Sequence, residues 1–436
     1  MAEIELSNNV PFFHVFSTAT GYYLFDVNTD AIIKIKYDQF AILEKVEKEK
    51  TNVSGKEKNI LADLFNAGFL KSSRVEKTEH PCTPYLHSIL SNRINFLVLQ
   101  VTQNCNLRCS YCVYSGLYDT RRHGNAKMSW GQAKKSLDYL LKHSSESSVL
   151  KVGFYGGEPA LMFDLIEKCV SYMEEKAPDK EKLYVITSNG TCLTKKSMKF
   201  LAENNFRLTI SIDGPEDIHD ISRRFMSNNS GSHIALLRNL KYMKETYPDY
   251  YAYSVNFNTV LTGKNSYKYI SEFFNNHELF KNNDFTSTMV SDAQKKGNID
   301  IDESFLEEYY YEYFKMMLSK LGRLDPSFVS VLVEQEYSNI WKTREGKQVS
   351  IRNELPKKWH HAGPCVPGEK SLFVNTDGNF FPCEKVCETS KDMILGNLSD
   401  GIDVVQAENI LNIERGMEER FCCKVFQSRP FSVKSN

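Results

Sequence analysis

Between Arg93 and Asp292, short apolar runs alternate with stretches that place apolar residues at helical spacing. The runs Ile94 to Val101, Val149 to Phe154, Leu183 to Thr187, Leu208 to Ile212, Ser254 to Leu261 and Phe285 to Val290 have the length and composition of buried strands. The stretches Gly131 to Lys142, Asp164 to Glu175, Lys195 to Asn204, Ile234 to Lys244 and Tyr267 to Phe274 have the 3.6-residue period of amphipathic helices. Strand and helix in strict alternation predict a parallel α/β architecture. Six such units are fewer than a closed eight-stranded barrel needs.

The flanks follow other patterns. Pro11 to Phe16 and Tyr22 to Val27 are short aromatic and β-branched runs around a turn-like Ser-Thr-Ala-Thr-Gly, followed by helical patterns at Ala41 to Val46 and Lys58 to Ala67. Residues 1–75 are therefore expected to form a small α+β domain whose exposed strand edge can accept an extended peptide. Lys71 to Ser91 is polar, contains Pro81 and Pro84, and reads as a linker. Residues 293–355, including the aromatic helix Tyr309 to Leu318, read as a helical bridge, and residues 356–436 as a β-rich, cysteine-bearing end.

Composition narrows the class. The chain has 436 residues, 41% hydrophobic and 25% charged, and 54 basic against 55 acidic residues give a net charge of -1. That balance offers no general attraction to nucleic acid or to an anionic membrane, and neither is expected as a partner. No apolar stretch approaches the roughly 20 residues that span a bilayer. The start, MAEIELSNNV, lacks the basic and apolar regions of a signal peptide, so a cytoplasmic protein is expected. The cysteine count, 11, is odd, which favours reduced thiols and metal ligands over a disulfide framework.

Three of those thiols, Cys105, Cys109 and Cys112, lie in the loop leaving the carboxyl end of the first barrel strand, at Cys-x3-Cys-x2-Cys spacing. That end of a barrel strand is where barrel enzymes keep their chemistry. Three thiolates so spaced can hold three corners of a cuboidal iron-sulfur cluster and leave one iron open. Half of a zinc site completed by a distant Cys or His is the competing arrangement.

The triplet, with Tyr111 just before its last cysteine, resembles the signature of the radical SAM enzymes. The resemblance implies a [4Fe-4S] cluster whose open iron chelates S-adenosylmethionine. The reduced cluster then cleaves the sulfonium and releases a 5'-deoxyadenosyl radical that takes a hydrogen atom from substrate. It also implies the family's partial (β/α)6 TIM-like barrel, open on one side to large substrates. Later strand ends carry further matches. Gly156, Gly157 and Glu158 follow the second strand. The glycines permit close backbone approach to a ligand, and in the family the segment holds the amino group of S-adenosylmethionine. Ser188 and Asn189 follow the third strand, beside the cofactor's ribose and methionine part by resemblance. Ser211 and Asp213 end the fourth, and Arg223 or Arg224 nearby can hold a carboxylate bidentately, that of the cofactor or of a substrate acid.

At the C-terminal end, Cys365-x12-Gly378-x4-Cys383, across the hairpin turn Asn375 to Gly378, resembles the opening of a SPASM domain, which binds auxiliary clusters in members acting on peptides and proteins. A zinc knuckle is the competing reading. The chain departs from the full pattern. Cys365, Cys383, Cys387, Cys422 and Cys423 are five thiols where two four-cysteine clusters need eight, so at most one auxiliary [4Fe-4S] cluster is expected. The N-terminal domain looks like the winged-helix-like recognition element fused to maturases of ribosomal peptides. Together these resemblances imply a maturase of Cys-rich peptides that installs a crosslink such as a thioether on a precursor peptide, fed by a reducing partner such as a flavodoxin or ferredoxin. An anaerobic sulfatase-maturing enzyme that forms formylglycine is the alternative within the class. A non-catalytic peptide-binding homologue is the alternative outside it.

Overall fold

A computed structural model describes residues 10–290, 295–297, 299–334, 353–360 and 366–412. They fall into two compact units, 10–81 with 353–360 and 412, and 82–334 with 366–411.

In the first unit, β1 (Phe13–Thr18), β2 (Gly21–Asp26) and β3 (Ala31–Ile35) form an antiparallel sheet in that order, followed by α1 (Tyr37–Glu49), α2 (Gly55–Ile60) and α3 (Ala62–Asn66). β3 is an addition to the two strands read from sequence. Leu24, Leu43, Val46, Leu61, Leu64 and Leu70 fill the core. The buried Asp26 carboxylate closes the unit by accepting the Leu70 N–H at 2.8 Å and the Thr29 N–H at 2.8 Å. Among the described residues no strand pairs with the outer edge of β3, where Ile32 is 63% exposed.

The second unit opens with α4 (Leu86–Asn92), inside the stretch expected to be a linker. Leu86, Ile89 and Leu90 are buried at i, i+3, i+4 spacing, and Pro84 lies in the 3-10 turn that leads into the helix, where a missing N–H costs nothing. Six parallel strands follow: β4 (Phe96–Thr102), β5 (Val149–Gly156), β6 (Glu181–Ser188), β7 (Arg207–Ser211), β8 (Val255–Leu261) and β9 (Phe285–Met289), each paired with the one before it. Between them run α5 (Trp130–Lys142), α6 (Phe163–Lys176), α7 (Lys195–Glu203), α8 (Glu216–Ser222), α9 (His233–Thr246), α10 (Pro248–Ser254) and α11 (Tyr267–Asn276). α12 (Glu303–Lys320) comes after β9.

Local sequence explains these elements. Ser129 caps α5 by accepting the Gln132 N–H while the Gln132 side chain returns a bond to the cap, and Ala133, Leu137 and Leu140 then fall on one buried face. β8 alternates strictly: Val255, Phe257, Thr259 and Leu261 are buried toward the helices, and Asn256, Asn258 and Val260 are half-buried on the other side. Each fully buried Val, Leu or Phe of the helix-facing layer contributes about 1.5–3 kcal/mol. The inner face of β6 to β9 carries short polar groups instead, Thr187, Thr209, Ser211, Asn256, Asn258 and Thr286, all half-buried. A closed barrel packs this face with branched apolar side chains.

The C-terminal segment continues the same sheet. β10 (Leu372–Val374) pairs parallel with β4, and β11 (Asn379–Phe381), β12 (Gly396–Asn397) and β13 (Gly401–Ile402) extend it antiparallel, followed by α13 (Val404–Leu411). The result is an open mixed sheet of ten strands, not a closed ring. Among the described residues no helix is long and apolar enough to cross a membrane.

Candidate active site

The loop from Gln103 to Cys112 leaves the carboxyl end of β4 and is held from two sides. On one side, the Gly157 N–H donates to the Thr102 carbonyl and the Glu158 N–H to the Asn104 carbonyl, both at 2.9 Å. A Cβ on Gly156 would sit 2.0 Å from the Thr102 oxygen, and one on Gly157 would sit 2.2 Å from the Asn104 oxygen. The close approaches that require this glycine pair are to the backbone at the end of β4 and at the start of the cysteine loop. On the other side, residues 222–226 run antiparallel to the loop as a strap. The Met226 N–H donates to the Asn106 carbonyl at 2.8 Å, Leu107 bridges Phe225, the Arg108 N–H donates to Arg224 at 2.9 Å, and the Ser110 N–H donates to Ser222 at 3.2 Å. This register sets Cys109 opposite Arg223.

Cys105, Cys109 and Cys112 are free thiols within electrostatic reach of one another. Burial, reinforced by the nearby Glu158 carboxylate, pushes Cys105 up to about 12. Burial pushes Cys109 up to about 11 against the opposing pull of the Arg223 guanidinium. Cys112 is raised by burial too, against the Tyr114 backbone N–H and the guanidinium groups of Arg223, Arg121 and Arg108. A thiol loses its proton on becoming a metal ligand, so a metal bound here would compensate a charge that burial disfavours. The Cys105 sulfur already has donors: the Leu107 N–H at 3.3 Å and the Asn189 side-chain amide at 3.8 Å.

Glu158 is 1% exposed. Its carboxylate accepts from Ser188 Oγ at 2.7 Å, the Asn189 N–H at 2.8 Å and the Ala160 N–H at 3.0 Å. Burial pushes its pKa up, opposed by these donors. Three bonds leave part of the acceptor capacity of a carboxylate unused. Ser188 and Asn189 thus orient Glu158, and the Asn189 amide also reaches Asn106 Oδ1 at 2.9 Å within the cysteine loop.

Arg223, one of the two arginines expected to hold a cofactor or substrate carboxylate, spends one edge of its guanidinium on a carboxylate of the protein. Its Nε and Nη2 bind Asp213 at 2.8 and 3.1 Å, and both side chains are buried. Asp213 also accepts from Tyr111 OH at 2.5 Å and from the Val260 N–H at 3.1 Å. Its own N–H donates to His219 Nδ1 at 3.3 Å. His219 is therefore the neutral tautomer that donates from Nε2 to Ser232 Oγ at 3.0 Å, and Ser232 donates to the Arg223 carbonyl at 2.8 Å. Ser211, half-buried, ends β7 just before this network.

A second buried network escaped the sequence reading. Arg121 pairs with Glu388 at 2.5 Å, donates to the Val386 carbonyl at 3.0 Å, and lies over the rings of Tyr114, Tyr155 and Phe373. Gln100 on β4 donates to Glu388 at 2.9 Å. Its one sequence signal was a polar residue inside an otherwise apolar strand. This network ties the loop after the cysteine triplet to the segment bearing Cys383 and Cys387. Cys365, Cys422 and Cys423 lie outside the described residues.

The donor set fits an iron-sulfur cluster. Three thiols without disulfide partners, with N–H groups on sulfur and guanidinium groups nearby, match what such a cluster uses. Among the described residues no three His, Cys, Asp or Glu side chains converge on one metal-ion position. A four-iron cluster carries its cysteines on separate irons and needs no such convergence.

Comparison with known proteins agrees. Residues 99–275 match the family described as the radical SAM superfamily. An uncharacterized protein of Methanocaldococcus jannaschii is 31% identical over 306 residues, 70% of this chain and 88% of that protein. A cysteine-type anaerobic sulfatase-maturating enzyme of Clostridium novyi is 26% identical over 308 residues, 67% of this chain and 73% of that one. The solved structure of native anSMEcpe with bound AdoMet shares the fold, with a TM-score of 0.54 at 19% identity over 77% of this chain and 84% of that one. With a relative 31% identical along most of its length, and the family's match running from β4 to α11, this chain belongs to the radical SAM superfamily.

Proposed function

We propose that the protein modifies a peptide, abstracting hydrogen from a ribosomal precursor and installing a crosslink such as a thioether. Its cofactors are those of the superfamily, a [4Fe-4S] cluster and S-adenosylmethionine. When bound, they supply one-electron cleavage of a sulfonium and a carbon radical. In this reading Cys105, Cys109 and Cys112 hold three irons, and the Leu107 and Asn189 N–H groups steady the Cys105 sulfur. Glu158, fixed by Ser188, Asn189 and Ala160, offers its remaining lone pairs to the cofactor's ammonium group. The short polar groups inside β6 to β9 supply donors and acceptors to a peptide in the open sheet, which suits the family's large substrates. Cys383 and Cys387 are offered as ligands of one auxiliary cluster.

The observation that carries the peptide reading is the first unit: a three-stranded antiparallel sheet backed by three helices, with the outer edge of β3 unpaired among the described residues. Such an edge binds an extended leader by main-chain hydrogen bonds. The test is anaerobic reconstitution with a low-potential reductant such as flavodoxin or ferredoxin. Formation of 5'-deoxyadenosine is expected, together with loss of two hydrogens from the peptide. Absence of 5'-deoxyadenosine overturns the enzyme reading.

The similarity to a cysteine-type anaerobic sulfatase-maturating enzyme favours a second reading, conversion of a protein cysteine to formylglycine. An aldehyde formed on the substrate, detected by hydrazide capture and mass spectrometry, selects it over a crosslink.

A further inference from the structure

The strap has a consequence beyond holding the loop. Its antiparallel register places Arg223 across from Cys109. Arg223 is 6% exposed and Asp213 3%. The pair is anchored by the two-bond fork between them, by Tyr111 OH and the Val260 N–H on Asp213, and by the His219 and Ser232 relay that returns to the Arg223 backbone. Tyr111 stands between two cysteines in sequence and lies against the guanidinium, 5.5 Å from its ring centroid. A buried charge so fixed is screened little by salt. Cluster potentials respond to nearby net charge, because the reduced state carries one more negative charge than the oxidised state.

We propose that Arg223 and Asp213, braced by Tyr111, are positioning residues that tune the reduction potential of the cluster in opposite directions. The inference rests on Cys105, Cys109 and Cys112 being the cluster's ligands. Arg223 favours the reduced state and Asp213 partly offsets it. The opposite signs separate this role from a structural one, since loss of packing would disturb both variants alike.

The test is a redox titration of the reconstituted full chain followed by electron paramagnetic resonance, with iron content and thermal melting measured alongside. At fixed potential, Arg223→Gln is expected to lower the reduced-to-oxidised ratio about tenfold, about 59 mV for one electron, and Asp213→Asn to raise it by a similar factor. The double variant, a neutral pair, is expected to return within about threefold of wild type. Shifts of the same sign, or no shift in either variant, overturn the proposal. If Arg223→Gln takes up no iron, Arg223→Lys and Asp213→Asn carry the test. The lysine keeps the charge and is expected to keep the wild-type potential, and a lysine variant displaced as far as Asp213→Asn overturns the proposal. Wild-type protein that loads no cluster overturns the ligand assignment instead, and this inference with it.

Discussion

Replacing Glu158 by Gln separates what this side chain does for the fold from what it does for the cofactor. The carboxylate accepts three bonds: Oε1 from Ser188 and Ala160, Oε2 from Asn189. A glutamine keeps one acceptor oxygen. Placed at Oε1 it preserves two bonds and turns its amide toward the Asn189 N–H, leaving that one buried donor unsatisfied. The opposite placement abandons two donors, so the first is adopted. One unsatisfied buried donor costs about 1–3 kcal/mol, a fall of a few degrees in Tm for a chain of this size. In the proposed role the cofactor loses as well, because its ammonium would no longer meet a negative charge. A hydrogen bond to a charged group contributes about 1.5–3 kcal/mol, so the Kd for S-adenosylmethionine is expected to rise about 10- to 150-fold. Anaerobic calorimetry on cluster-loaded protein, paired with thermal melting, measures both. A lowered Tm with unchanged Kd would refute the cofactor role and leave Glu158 a structural residue.

Three other perturbations follow from named contacts. Gly157→Ala forces a Cβ against the Asn104 carbonyl at the base of the cysteine loop, and is expected to reduce iron and sulfide per chain at least severalfold while far-UV circular dichroism stays near wild type. Glu388→Ala leaves the Arg121 guanidinium buried without its carboxylate, at a cost of about 3–5 kcal/mol read from the urea midpoint. His219, held down to about 3 by burial and then by Arg223, stays neutral in the fold while an unfolded histidine takes a proton below about 6.5. The unfolded state then binds the extra proton, so this contribution is complete above pH 6.5 and is lost as pH falls toward 3, by up to about 1.4 kcal/mol per pH unit. His219→Gln is expected to flatten that part of the stability curve.

The parallel strands and their helices were legible because each carries its period locally: Val149 to Phe154 became Val149–Gly156, and Tyr267 to Phe274 became Tyr267–Asn276. The cysteine triplet was legible as a motif because its three thiols lie within eight residues of chain. What escaped depends on distance or on steric detail. α4 was hidden by Pro81 and Pro84, which weigh against a helix only when they fall inside it. Asp213 and Arg223 are ten residues apart, and their pairing needs α8 to turn the chain back. The same turn creates the strap, which no local pattern announces. Gln100, Arg121 and Glu388 come from three separate segments, and their only shared signal is that each is charged or polar where the fold is dry.

In the proposed mechanism three thiols of one loop, Cys105, Cys109 and Cys112, hold the cluster at which S-adenosylmethionine is cleaved. Iron, acid-labile sulfide and 5'-deoxyadenosine, measured on reconstituted wild type and on Cys109→Ala, test it most directly. A cluster and turnover are expected in the wild type, and both are expected to be lost in the variant. Cys109→Ala that still cleaves S-adenosylmethionine at the wild-type rate would contradict it.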